Sequence, residues 1–385
     1  MNKSLLFVAF TLILSACGSN PKETKEEVRT EPIIQSKDGD EKTKSIMAED
    51  ASEINFPEEI HLKNIKQLTN GGDNAEAYWS FDNKQLVFQS NAEKWGLSCD
   101  QIFTFDPFNG NIMDDNKPQM VSTGMGRTTC SYFMPDNKSI IYSSTHLGDK
   151  NCPAEPAPRE DRKYVWPIYE DFDIFVSDLD GNIIKQLTND PGYDAEPTVS
   201  PKGDKIVFTS LRSGDLELYT MNIDGSDVNQ VTHELGYDGG AFFSPDGTKL
   251  IFRSSRPKTA EDVKEYKDLL KQGLVMPTNM ELYVCNVDGS DLKKITSLGQ
   301  ANWAPFFHPS GKKVIFASNH TAKRGFPFNL YMVDLDGNNL EQITFGPTFN
   351  AFPMFSPDGK YLVFSSNRNN NGTRDTNLFL AEWVD

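Results

Sequence analysis

Three histidines, His146, His233 and His320, are the side chains in this sequence best suited to hold a divalent metal. They lie in three different copies of a repeated segment and lack the close spacing typical of metal-ligating histidines. They are therefore weak candidates. The sequence predicts no metal site and no cofactor, with a structural Ca²⁺ or other divalent cation left as an alternative. The sequence also has no G-x-S-x-G motif, which argues against the serine nucleophile of α/β-hydrolases.

Asp and Asn recur at one position of the repeat, where its first strand begins. Their oxygens could bind a cation or sugar hydroxyls, or they could cap the turns before the strands, and both interpretations stay open. Glu76 and Glu196 follow two residues further on and are expected to line a central channel, and Trp303 adjoins the same column. The residues of the column are Asn74, Asp194, Asp238, Asn302 and Asn350.

A segment that recurs six times positions these residues. Each copy has a turn rich in Pro, Asp, Asn and Gly and then an apolar strand, and a second strand follows every copy. A Gln-apolar-Thr element closes most of the repeats. Such turns supply the backbone conformations of tight hairpins, so each repeat is predicted to be an antiparallel sheet of strands a, b, c and d. The copies are WSFDNKQLVF from Trp79, FMPDNKSIIY from Phe133, VSPKGDKIVF from Val199, FSPDGTKLIF from Phe243, FHPSGKKVIF from Phe307 and FSPDGKYLVF from Phe355.

Four short strands in each repeat are typical of propeller blades, so the sequence predicts an all-β fold, a six-bladed β-propeller. The last repeat ends after strand c, while an isolated strand d lies at 65–69, ahead of the first repeat. We expect this N-terminal strand to complete the C-terminal blade and close the ring.

Long insertions are predicted on one face of the ring only. They lie between strands b and c, at 145–172, 256–280, 319–328 and 367–376, and we call the face that carries them the working face. The three histidines map to this face. In the second insertion, the segment from Thr259 to Asp262 has the pattern of a capping box, and it predicts a helix that packs its apolar stripe on the propeller or offers it to a partner.

The Ser-Pro-Asp-Gly turns and the Asp-Gly-Ser or Asp-Gly-Asn turns before the Gln-apolar-Thr element resemble the TolB-type, WD40-like (PD40) β-propeller repeats. The resemblance runs from about residue 65 to residue 385 and implies the fold. Propellers of this type serve as Tol-Pal accessory proteins, as partner-binding modules and as enzyme domains, so it implies no single function. In place of the helical domain that precedes the TolB propeller, this sequence has a polar segment.

The N-terminus resembles a bacterial lipoprotein signal. Lys3 precedes a short apolar run, and Leu14-Ser15-Ala16-Cys17 resembles a lipobox whose cysteine receives the lipid. The prediction is a signal peptide at 1–17, a flexible polar tether at 18–58 and the propeller at 59–385, with an ordinary secreted protein cleaved near Ala16 as the alternative. The protein is then expected in the cell envelope, held by its lipid to the outer membrane on the periplasmic side or at the cell surface.

Four further cysteines, Cys99, Cys130, Cys152 and Cys285, would lie in an oxidising compartment. The first three map to the working face, and the preferred disulfide joins Cys130 to Cys152 within one repeat, although spacing alone cannot establish connectivity. Cys285 is expected to be a packed thiol.

The net charge of −17 argues against nucleic acid as a partner, because phosphate binding needs a basic surface. The sequence therefore predicts a monomeric, non-catalytic scaffold whose partner is an envelope protein or a glycan. A polysaccharide-binding or metal-dependent, oligogalacturonate-lyase-like propeller is the alternative. Aromatic residues on the working face, such as Trp166, Tyr193, Tyr237 and Trp303, would favour a glycan, and an exposed apolar patch on the inserted helix would favour a protein.

Overall fold

The computed structural model describes residues 54–109, 116–157, 159–161, 163–323 and 325–385. The predicted Cys17 lipidation site, the signal peptide and most of the tether lie outside these residues. Within them, six antiparallel sheets of four strands form a six-bladed propeller, which confirms the predicted fold. No helix in the described ranges is both long enough and apolar enough to cross a membrane.

The first three blades each take their four strands in sequence order, although in blade 2 the separate short strand Trp166–Pro167 lies between the second and the third. Blade 1 consists of Asn74–Trp79, Leu86–Ser90, Gln101–Phe105 and Gln119–Met120. Blade 2 consists of Thr128–Phe133, Ser139–Ser144, Asp173–Asp178 and Ile183–Gln186. Blade 3 consists of Asp194–Val199, Lys205–Ser210, Glu217–Asn222 and Asn229–Gln230.

Blades 4 and 5 repeat this order, and blade 6 closes the ring with a strand from the N-terminal side. Blade 4 consists of Asp238–Phe243, Lys249–Ser255, Met280–Asn286 and Lys293–Lys294. Blade 5 consists of Asn302–Phe307, Lys313–Ser318, Asn329–Asp334 and Glu341–Gln342. Blade 6 consists of Asn350–Phe355, Tyr361–Ser366, Asn377–Trp383 and, as its fourth strand, Leu62–Gln67.

The closing strand confirms the predicted ring closure. Leu62–Gln67 pairs antiparallel with Asn377–Trp383, with Leu62 opposite Trp383 and Gln67 opposite Phe379. The backbone pairing hides the edge that the last blade would otherwise expose, so the ring has no open strand at this joint.

The Gln-apolar-Thr element is explained by one hydrogen-bond pattern that recurs in every blade. In blade 4, the backbone N–H of Leu282 donates to the Thr296 hydroxyl at 2.8 Å, and this hydroxyl donates to the Glu281 carboxylate at 2.7 Å. The hydroxyl thus satisfies a buried donor at the start of strand c that strand d is too short to reach. The residues with this role are Thr69, Ser122, Thr188, Thr232, Thr296 and Thr344.

A serine hydroxyl caps the turn between strands a and b from inside in blades 1, 3, 4 and 6. In blade 4, the N–H of Lys249 donates to Ser244 Oγ at 2.9 Å, and Ser244 Oγ donates to Asp246 at 2.7 Å. Gly247 completes this turn with a φ of +64°, which side chains disfavour.

Two insertions cross the working face and meet above blade 3. Strand Trp166–Pro167, from the blade 2 insertion, pairs with Leu274–Val275, from the blade 4 insertion. Helix α1, Ala260–Leu270, has the predicted capping box, with Thr259 accepting from the Asp262 N–H. Tyr266 and Leu269 of α1 are buried and Val263 and Leu270 are half-buried, so the stripe packs on the propeller, which is the first of the two interpretations. A short 3₁₀ helix, Glu93–Trp95, lies in the blade 1 insertion.

The predicted Cys130–Cys152 disulfide is wrong. Cys152 is bonded to Cys99, so the disulfide joins the b–c loops of blades 1 and 2 rather than two parts of blade 2. Cys130 is a free thiol because its backbone bulges towards the centre of the ring, away from the outer loop that holds Cys152. Cys285 is free and buried, as expected.

Candidate functional site

A cavity of about 870 Å³ opens on the working face at the centre of the ring. Its walls come from the first residues of strand a in each blade and from the b–c insertions, including Trp166–Pro167 and the 319–328 loop. Its size falls within the range of pockets that hold small organic molecules or chain segments.

A ring of bulges forms the floor of this cavity. The third residue of strand a has a left-handed φ in all six blades, between +47° and +59°, and strand pairing shifts register at the same point. The extra residue turns each of these positions towards the centre. The six residues are Glu76, Cys130, Glu196, Gly240, Ala304 and Phe352, and all of them line the cavity.

One side of the floor holds a buried ion pair. The Arg253 guanidinium donates to Glu196, which also accepts from the Tyr237 hydroxyl at 2.9 Å and from the Gly240 N–H at 2.8 Å. Burial alone would raise the pKa of Glu196, but the Arg253 charge and these hydrogen bonds outweigh it and hold the pKa below its usual value. The carboxylate is therefore ionised and neutralised by Arg253.

A glycine makes room for this arginine. A methyl group added at Gly240 would lie 1.8 Å from Arg253 Nη1, and one at Gly239 would lie 2.4 Å from Glu196 Oε2. Arg253 was not singled out from the sequence. The Gly239-Gly240 pair inside an otherwise apolar strand was the available signal, because glycine in a strand often marks the close approach of another group.

Glu76 lies elsewhere on the floor and has no comparable cation partner. Its Oε2 atom is buried and accepts no hydrogen bond from the described residues. Burial raises the pKa of Glu76 to about 7, the nearby Glu196 charge adds to the rise, and the Cys130 thiol and Arg253 oppose it. The Cys130 thiol is itself held neutral, because burial raises its pKa well above the usual value.

Aromatic side chains form the upper wall. Trp303 stacks on Phe328 at 4.5 Å and donates from Nε1 to the Pro277 carbonyl at 2.8 Å. Trp166 lies 5.2 Å from Trp303 and 5.3 Å from the Arg253 guanidinium. The predicted aromatic residues Trp166, Tyr193, Tyr237 and Trp303 all line the cavity.

Two further aromatic residues at the mouth were missed. Tyr164 and Phe326 also line the cavity, yet they are 62% and 55% exposed. They lie in insertions without a periodic pattern, so no repeat alignment could assign them to the mouth.

The Asp and Asn column does not line the cavity. All five side chains are fully buried at the start of strand a. Asn302 donates to the Met280 carbonyl at 2.8 Å, and Asp194 accepts from Arg212 at 2.9 Å. This arrangement supports the capping interpretation, and ligand binding by the column stays a prediction. Of the predicted binding residues, Glu76, Glu196 and Trp303 reach the cavity, whereas Asn74, Asp194, Asp238, Asn302 and Asn350 do not.

The three histidines do not converge. His146 Nδ1 lies 2.9 Å from the Ser144 hydroxyl beside Phe175, and His320 makes the equivalent contacts with Ser318 and Tyr331. His233 is exposed on another blade. Within the described ranges, no group of three or more His, Cys, Asp or Glu side chains is arranged to hold a metal ion.

Comparison with solved structures supports the fold. A protein of Agrobacterium tumefaciens described as a TolB is 22% identical, with a TM-score of 0.52, over 82% of this chain and 91% of that chain. TolB from Acinetobacter baumannii is 19% identical, with a TM-score of 0.47, over 81% of this chain and 63% of that chain. An oligogalacturonate lyase from Vibrio parahaemolyticus is 11% identical, with a TM-score of 0.48, over 83% and 93%. At 22% identity the likeness to the Agrobacterium protein concerns the fold alone, and the two structures with TM-scores below 0.5 carry no argument.

No protein with a curated description matches the sequence. The family model described as "TolB beta propeller domain" matches residues 167–272 and 275–373, which together make up more than half of the 385 residues. These residues cover strands c and d of blade 2, nearly all of blades 3 to 5, and strands a and b of blade 6. The chain therefore belongs to the TolB beta propeller domain family.

Proposed function

We propose that this protein is a binding module that holds its ligand or partner in the working-face cavity and does no covalent chemistry. The observation that carries the proposal is the ring of six bulges, because it directs one residue from each blade towards the same cavity. The Glu196–Arg253 pair on its floor is mutually neutralised, which suits a rigid wall better than proton transfer. The partner is an envelope protein or a glycan.

The sequence supports an envelope location for this module. Cys17 would carry the lipid, and the polar tether would let the propeller reach partners from the outer membrane. Replacing Cys17 with Ser should abolish incorporation of an alkyne-tagged fatty acid and release the protein from the membrane fraction. Unchanged labelling would contradict the anchor.

Site-specific photo-crosslinking tests the working face. A photoreactive phenylalanine at Tyr164 or Phe326 should give a defined adduct in intact cells, whereas the same group at Val228 or Leu340 should not. These two control positions are exposed apolar residues at c–d turns on the opposite face. Narrowing the cavity with Thr278→Trp, at an exposed position in its wall, should reduce the adduct. Equal crosslinking from both faces would overturn the proposal.

Polysaccharide binding is a second candidate, and the aromatic wall favours it. Trp166 and Trp303 could stack on sugar rings, as aromatic side chains in glycan sites do. Isothermal calorimetry with acidic oligosaccharides, with and without Mn²⁺, would test this candidate. Binding that disappears in Trp166→Ala would support it. Cleavage that requires the metal would favour the lyase-like alternative over a non-catalytic module.

A further inference from the structure

Some of the charged side chains that line the cavity form ion pairs, and others do not. Among the described residues that line it, Arg253 is paired with Glu196, and Arg127 lies 3.8 Å from Asp100 and also bonds to Glu155. Glu76 has no ion pair. The buried charge without an ion pair is therefore the carboxylate of Glu76, whereas Arg374, which also lines the cavity, is exposed to solvent.

The surroundings of Glu76 are suited to a cation that arrives from outside. Tyr78 and Cys130 beside it are both uncharged, because burial raises the pKa of each well above its usual value. Asp100 and Glu196 add negative potential, and Arg253 opposes it while already paired. The whole chain carries a net charge of −17, which also attracts cations.

The missing cation is not a metal held by the described residues, because no cluster of metal-ligating side chains surrounds Glu76. The cavity volume of about 870 Å³ and its aromatic wall fit an organic body many times larger than an ion. Aromatic faces near the carboxylate also attract organic cations.

We propose that the cavity binds a ligand that carries a protonated primary amine and that this ammonium group pairs with Glu76. The inference rests on the proposed function, since it names the chemistry that the same cavity recognises. Two sources present such a group: a lysine side chain of a protein partner and an amino sugar of a glycan.

Binding of a protonated primary amine, the group that both sources share, can be tested by calorimetry. The folded propeller from Ile54 onwards is titrated with n-butylammonium chloride. The probe should bind saturably in the millimolar range, and neutral 1-butanol should bind at least tenfold more weakly. Glu76→Gln should weaken the ammonium at least tenfold, whereas Glu261→Gln, the same substitution on the exposed side of α1, should change it less than twofold.

The pH dependence gives a second readout. With a pKa of about 7, the ionised fraction of Glu76 rises from about one-tenth at pH 6 to about nine-tenths at pH 8. Ammonium binding should therefore tighten about ninefold over this range, because the probe stays protonated throughout. Glu76→Gln should abolish this dependence.

Two pairs of larger probes distinguish a lysine side chain from an amino sugar as the source of the amine. The peptide acetyl-Phe-Lys-Phe-amide is compared with its ε-acetylated form, and a glucosamine trimer with its N-acetylated form. Preference for the charged member of one pair identifies that source and supports the proposal.

Two results would overturn the inference: no preference in either pair, or full binding by Glu76→Gln. Crosslinking at Tyr164 and Phe326 would still report a partner in that case, so failure of the amine inference is distinguishable from failure of the binding module itself.

Discussion

Arg253, in strand b of blade 4, donates its guanidinium N–H groups to Glu196, in strand a of blade 3, and to the Tyr237 hydroxyl at 2.5 Å. The pair joins blades 3 and 4 on the floor of the cavity. Both side chains are about nine-tenths buried, at 8% and 10% exposure. The ion pair therefore holds blades 3 and 4 together and at the same time forms part of the cavity floor.

Breaking this pair should be costly. Arg253→Met leaves the Glu196 charge buried without its cation, and the loss is about 3–5 kcal/mol of unfolding free energy. Urea unfolding followed by tryptophan fluorescence measures it. The double variant Arg253→Met with Glu196→Gln should recover part of the loss, because no unpaired charge remains. A single variant as stable as the wild type would show that the pair is not formed.

Glu76 should make stability depend on pH. Burial raises the pKa of Glu76 from 4.5 to about 7, so the folded protein retains a proton that the unfolded chain releases. Its contribution is complete below pH 4.5 and is lost as pH rises through 7.

The substitution Glu76→Gln isolates this effect from other groups. It should raise the unfolding free energy at pH 8 by about 3 kcal/mol and leave it nearly unchanged at pH 4.5. Thermal unfolding at both pH values measures it. Equal effects at the two pH values would contradict the proposed ionisation.

The stability of the protein should depend on Cys99 and Cys152, which form the disulfide, and much less on Cys130, which is free. Cys99→Ser or Cys152→Ser should lower the unfolding free energy by about 2–4 kcal/mol, because the bond constrains the unfolded chain between positions 53 residues apart. Cys130→Ser should have a much smaller effect. Thiol labelling of the denatured, unreduced propeller from Ile54 onwards should find two free cysteines, Cys130 and Cys285. Labelling at Cys152 instead of Cys130 would contradict the assignment.

In the Gln-apolar-Thr element, the threonine hydroxyl should contribute more to stability than the volume of the side chain does. Thr296→Val keeps the volume but removes the acceptor for the Leu282 N–H and the donor to Glu281, which should cost about 1–3 kcal/mol. Thr248→Val, at an exposed turn position, is the matched control and should cost less. Similar losses in urea unfolding for both variants would show that the motif has another cause.

The fold could be predicted because the turns repeat in the sequence itself. Pro-Asp-Gly and Asp-Gly mark hairpins wherever they stand, and the unpaired strand predicted at 65–69, which the structure places at Leu62–Gln67, implied a partner at the other end. The site was less predictable. Only Gly240 among the six bulge residues has a type that favours a left-handed φ, so the common geometry of Glu76, Ala304 and Phe352 has no signal in their residue types. The cysteine pairing depended on which neighbouring loops approach each other, which spacing does not encode.

The closing strand has a consequence for how the protein is made. Thr69 accepts from the backbone N–H of Leu378, 309 residues further along the chain. During synthesis the first strand must stay unpaired until nearly the whole propeller has emerged from the ribosome. The five complete blades can form in sequence order from local contacts, but the ring can lock only in one late step with a long loop to close. Until then the outer edge of Asn377–Trp383 and the unpaired N-terminal strand are open to pairing with other chains, so this interval is when the protein would be most in need of a chaperone.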